Sequence, residues 1–99
     1  MIIRIVKLTF QPDKVNDFVS IFSEEKKKIL AFDGCSHVEL WKDTERENVF
    51  FTHSRWRNKE ALEAYRHSEF FKSTWARAKT LFADKAEAWS VMSVDSIMR

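Results

Sequence analysis

The sequence predicts an α+β fold, a four-stranded antiparallel sheet with helices packed on one face. Three observations predict it. Strand-like alternation and helical spacing succeed one another as strand, helix, strand, strand, a pair of short helices, strand. The run Asp43-Thr44-Glu45-Arg46-Glu47 is wholly polar between two apolar stretches and reads as a hairpin turn, which makes the flanking strands antiparallel. The first strand is apolar on both alternating faces, so something covers both sides of the sheet. The order βαββααβ is the ferredoxin-like arrangement. One such domain accounts for residues 1–99, with a core over 2–94 and a frayed tail over 95–99.

Each element has a local reason. Residues 2–10 are rich in Ile, Val, Leu, Thr and Phe, which suit a pleated surface. Pro12-Asp13 opens the first helix, because a first-turn proline forfeits no hydrogen bond and an acid suits the positive end of the helix dipole. Val15, Phe18, Val19, Phe22 and Ile29 form its apolar stripe, interrupted by Lys26, and Gly34 ends it. The run Glu24 to Lys28 reads as a solvated face. Cys35–Lys42 and Asn48–Arg57 are the hairpin strands. Asn58 caps a short helix through Tyr65 or Arg66. Ser68-Glu69 restarts a helix whose stripe is Phe71, Trp75, Ala78 and Phe82. Glu87–Val94 alternates as a last strand.

The composition excludes several classes of function. A single glycine rules out glycine-rich phosphate loops, and a single cysteine rules out an internal disulfide or a multi-cysteine zinc site. Seventeen Lys+Arg against fifteen Asp+Glu are interspersed and give +2, so there is no basic stripe for nucleic acid. No apolar run is long enough to span a membrane, and the expected location is cytoplasmic. The helices leave one sheet face bare, and a second copy packed sheet to sheet, a homodimer, is the economical cover.

Several residues could carry chemistry. A hairpin centred near Glu45 sets His37 directly opposite His53, with Glu39 one step along the same face. Two histidines and a carboxylate are the elements of a non-haem iron triad. The alternatives are a proton-transfer histidine or two histidines at half-polar strand positions, and no metal is assigned. Arg4, Lys7 and Arg55 are charges within apolar strands and need partners, either an anionic or phenolic ligand or a carboxylate. Tyr65, Trp56 and Trp75 could line a flat pocket between sheet and helices, with His67 at the break between the short helices bordering its mouth. Phe50 and Phe51 lack the glycine and basic neighbours of an RNA-binding strand. Cys35 reads as a small buried residue.

The segments Gly34-Cys35, Ser54-Arg55-Trp56-Arg57-Asn58-Lys59-Glu60-Ala61-Leu62-Glu63-Ala64-Tyr65 and Ser68-Glu69-Phe70-Phe71 resemble the antibiotic biosynthesis monooxygenase family. The resemblance implies a dimeric α+β barrel that oxygenates quinols or aromatic ketones, without a cofactor in many members. Members often have Glu where this chain has Ser54, and His where it has Tyr65 and Phe70. A haem-degrading branch uses an Asn, a Trp and an axial His where this chain has Val6, Tyr65 and Trp75. The expected function is therefore a cofactor-independent monooxygenase of a small aromatic or quinol. Tyr65, His53, His37 and Arg55 are its expected catalytic groups, and Trp56, Trp75, Phe51 and His67 its substrate-binding residues. The rival expectation is a non-catalytic, dimeric small-ligand-binding or stress-response module.

Overall fold

The computed structural model describes residues 1–98, so the end of the expected tail at Arg99 lies outside the described residues. The elements are β1 (Ile2–Thr9), α1 (Val15–Leu30), β2 (Cys35–Lys42), β3 (Val49–Trp56), α2 (Lys59–Arg66), α3 (Glu69–Lys79) and β4 (Glu87–Val91). One antiparallel sheet takes them in the order β2-β3-β1-β4. This is the expected ferredoxin-like topology. Among the described residues no helix is long and apolar enough to cross a membrane.

The helix caps follow the sequence. Asn58 accepts from the Ala61 N–H at 2.9 Å, and Ser68 accepts from the Phe71 N–H at 3.1 Å. Pro12 sits in a single 3-10 turn ahead of α1 rather than in the α-helix itself. Gly34 does not end α1. That helix stops at Leu30 with Ala31 as its cap, and Gly34 turns the chain into β2 with φ +87°. A side chain is disfavoured there for two reasons, the left-handed backbone and the approach of Ala61, whose Cβ would lie 2.5 Å from an added Cβ.

Two strand ends and one register differ from expectation. β1 stops at Thr9, and Phe10 forms an isolated bridge with Phe82. β4 stops at Val91. In the hairpin Glu39, not His37, lies opposite His53, and His37 lies opposite Arg55. The turn is responsible. Asp43 accepts from the N–H groups of Glu45 and Arg46, at 3.1 and 2.8 Å, which moves the centre of the loop one residue along. Opposing partners shift by two residues, and an even shift leaves every side chain on its face.

Alternation along the strands then sorts the residues. Val6, Leu8, Val38, Thr52 and Ser54 face the helices, where Leu8, Phe10, Phe18, Phe50 and Ala78 form one core cluster. Trp56, Ala61 and Leu62 form a second cluster beneath Tyr65 and Phe32. Ile3, Ile5, His37, Glu39, Trp41, Phe51, His53, Arg55, Trp89 and Val91 alternate to the opposite face, which no element among the described residues covers.

Candidate functional site

A cavity of about 320 Å³ lies between the sheet and the helices. That is the lower end of the range for pockets that hold small organic ligands. Phe18, Phe22, Phe71 and Trp75 supply much of its apolar wall, and Arg4, Glu25, Ser54, Tyr65 and Arg66 its polar points.

Tyr65 reaches this wall from the last turn of α2. Its ring stacks on Trp56 at 4.9 Å between centroids and meets Phe32 and Phe71 edge-on, both at 5.1 Å. Burial pushes its phenol well above the ordinary tyrosine value, and the charges of Cys35 and Glu25 add to the rise. Tyr65 is therefore a neutral hydrogen-bonding group at physiological pH, not a proton acceptor.

Glu25 is the site residue that sequence reasoning missed. It is only 7% exposed, with Arg77 and Lys28 at 3.7 and 3.9 Å as its ionic partners. The signal was present in the spacing. Phe18, Phe22, Glu25 and Ile29 follow at four, three and four residues, so the acid occupies the buried stripe. Lys26, expected to interrupt that stripe, is exposed, and so is Val19, expected within it. The polar run Glu24 to Lys28 is thus a solvated face at every position except Glu25.

Arg4 points to the same cavity from β1 and donates to Ser90 Oγ at 2.9 Å. Burial lowers its pKa, the Arg66 charge lowers it further, and Glu63 opposes them. Trp75 lines the cavity as expected. Trp56 does not, because it is fully buried beneath Tyr65, its indole N–H donating to Ser54 Oγ at 2.9 Å. His67 is also off the wall; it is exposed beyond α2, with Nε2 3.3 Å from Glu63.

The remaining expected site residues lie on the other side of the sheet. His37, Phe51, His53 and Arg55 share the open face, so the sheet separates them from Tyr65 and Trp75. Odd and even positions of β3 cannot reach the same pocket, which is why one site could not contain both sets. His37, Glu39 and His53 do come together, their ligating atoms all within 4.8 Å of one another. Trp41 stacks on the His53 ring at 4.7 Å and donates its indole N–H to Glu39 Oε1 at 2.7 Å. His53 is 6% exposed, and its Nδ1 has no hydrogen-bond partner among the described residues. An unpartnered buried polar atom costs about 1–3 kcal/mol. Burial lowers the His53 pKa, Arg55 and His37 lower it further, and Glu39 opposes them. The Trp41 hydrogen bond holds the Glu39 carboxyl below its ordinary value.

Comparisons with known proteins identify the family and agree with the fold. A family model described as "Antibiotic biosynthesis monooxygenase" matches residues 1–77. A Natronomonas pharaonis protein named "Putative heme-binding protein" is 34% identical over 77 residues, 78% of this chain. Those residues make up 13% of that relative's length. Solved structures share the fold at low identity. A conserved protein from Methanosarcina mazei Go1 superposes with a TM-score of 0.85 at 20% identity, covering 92% of this chain and 91% of that one. A structure titled as an antibiotic biosynthesis monooxygenase superposes with a TM-score of 0.88 at 16% identity, covering 96% of this chain and all (100%) of that one.

Proposed function

Because the chain belongs to the antibiotic biosynthesis monooxygenase family, we propose that its helix-side cavity takes a small aromatic or quinol-like molecule and oxygenates it without a cofactor. One observation carries the reading: a largely apolar cavity with a buried carboxylate, Glu25, in its wall. Glu25 accepts the proton of a phenolic or enolic substrate. The neutral Tyr65 hydroxyl donates to a substrate oxygen, and Arg4 with Arg66 favours the anion that forms. That anion passes an electron to dioxygen in a site the apolar wall keeps dry. Where the reacting carbon is a ring-activated CH2, it becomes C=O and the second oxygen atom leaves as water. The proton-handling and anion-binding roles expected of His37, His53 and Arg55 pass to Glu25 and Arg4, which share a wall with Tyr65.

The relative's name raises haem as an alternative occupant. Among the described residues the cavity wall offers no His, Cys or Met, and its one tyrosine is held protonated. These residues do not fit an axial ligand for haem iron, and no step is drawn through it.

The open face carries Trp41, Trp89 and Val91 at 41–47% exposure, beside Ile3 and Ile5. In this proposal a second copy covers that face, giving a homodimer packed through its sheets. The non-catalytic binding module is favoured by one specific observation, the absence of any histidine from the cavity wall among the described residues.

Oxygen uptake with a panel of quinols and anthrones separates the readings. Wild type is expected to consume oxygen, and Glu25→Gln to lose about 100-fold or more in kcat. Saturable binding without uptake selects the binding module. Equal uptake by both proteins refutes the role of Glu25.

A further inference from the structure

We propose that His37, Glu39 and His53 form a binding site for a divalent first-row transition metal, on the sheet face opposite the cavity. The site lies within one chain and does not depend on the reading of the cavity.

The spacing is that of ligands rather than of hydrogen bonds. His37 Nε2 lies 3.6 Å from Glu39 Oε1, and His53 Nδ1 lies 3.7 Å from the same oxygen. Both separations are too long for hydrogen bonds. Ligand atoms at about 2.0–2.2 Å from a tetrahedral ion stand roughly 3.3–3.6 Å apart. The two His–Glu separations are already close to that, and the two histidine nitrogens, within 4.8 Å of one another, close by about an ångström on binding. His37 and Glu39 have half-open side chains that can make this adjustment, while His53 is fixed by its burial and by the stacked Trp41 ring.

A second observation points to a ligand independently. Among the described residues, His53 Nδ1 is the buried side-chain polar atom without a partner, and it faces the cluster. A metal would satisfy it. The surroundings also supply the outer contact that metal-bound carboxylates usually have, since the Trp41 indole N–H already orients Glu39. Two imidazoles and a carboxylate select borderline ions such as Zn²⁺, Co²⁺ or Fe²⁺ over Ca²⁺ or Mg²⁺, which prefer all-oxygen shells. Three protein ligands leave a position for water or an exogenous donor. Arg55, opposite His37, opposes the charge of the ion and limits its affinity.

Full-length protein is stripped with chelator, then loaded with Zn²⁺ or Co²⁺ both when folded and during refolding from urea. Stoichiometry is read by elemental analysis, affinity by calorimetric titration, and geometry by the Co²⁺ absorption spectrum. One ion per chain is expected, with an intense Co²⁺ spectrum of low coordination number. His37→Ala and Glu39→Gln should each weaken binding by at least about 10-fold, and Trp41→Phe by a smaller factor. Arg55→Gln should tighten it, and His67→Ala should leave it unchanged. Circular dichroism checks that each variant is folded. Wild-type binding no tighter than that of the His37→Ala/Glu39→Gln double variant overturns the site. So does a loss that follows His67 instead.

Discussion

The two faces of this sheet are built from the same four strands and have opposite characters. On the covered face the polar residues are spread around a cavity, and most of the buried hydrophobic side chains lie beneath the helices. On the open face the aromatic side chains stay partly exposed, and His37, Glu39 and His53 gather into one cluster. There His53 is buried by the side chains beside it, Trp41 above all, rather than by any covering element. A face can thus be uncovered and still hold a desolvated, unsatisfied group. Where helices cover a strand, burial follows from packing. On the bare side it follows from a few large neighbours and is more easily undone.

The largest expected difference between the faces concerns their tryptophans. Trp56→Ala removes a fully buried ring from the second core cluster and should cost about 3–5 kcal/mol in urea unfolding. Trp89 is 44% exposed in the single chain, so Trp89→Ala should cost much less at low protein concentration. If the sheet-face dimer forms, the cost of Trp89→Ala should grow with protein concentration, because association contributes to stability. A concentration-independent cost as large as that of Trp56→Ala would mean that the open face is packed within the chain, and the contrast between the faces would fail.

Gly34 sharpens the contrast at the point where β2 meets the covered face. Its carbonyl accepts from the Arg57 N–H at 2.7 Å, and Ala61 of α2 closes over it. Gly34→Ala should lower stability by about 1–3 kcal/mol through backbone strain alone, with the clash added. Adding Ala61→Gly should restore the part due to the clash and leave the strain, a non-additivity measurable by urea melts of all four proteins. Full recovery in the double variant would show that the positive φ carries no cost.

How much of this was legible in the sequence depends on which physical signal each part left. Element order and type were, because long apolar periodicities and the caps Asn58 and Ser68 are local. The grouping of His37, Glu39 and His53 on one face also was, since an error of two residues in register preserves alternation. The pairing itself was not, because Asp43 sets the turn through side-chain hydrogen bonds that leave no trace in hydrophobic patterning. The expected site combines Tyr65, an aromatic with a polar handle, with His53 and Arg55, a titratable and a charged group on one strand. Parity along β3 argued against that grouping: Ser54 on the covered side flanks His53 and Arg55, so both belong to the other side. Glu25 was hidden by its neighbours, since one buried acid in a run of exposed charges looks like the run. Its distances to Phe18, Phe22 and Ile29 along the helix were the better guide.

The smallest expected effect tests whether His53 is desolvated on the face that no described element of its own chain covers. Burial lowers its pKa, and the charges facing it divide. Arg55 on its own strand and His37 on β2 lower it, while Glu39 on β2 raises it. A histidine with a lowered folded-state pKa binds fewer protons than in the unfolded chain between that value and about 6.5. Stability from this group is therefore fully present above about pH 6.5 and is lost as the pH falls through the folded-state value. Glu39, also lowered, acts in a separate and more acidic window, below its ordinary value of 4.5. Urea unfolding of the metal-free protein between pH 7.5 and pH 5 should thus show stability falling with acidity, and His53→Gln should flatten that slope even if it lowers stability throughout. An unchanged slope in His53→Gln would mean that water reaches the imidazole in solution. The open face would then be open at His53 as well.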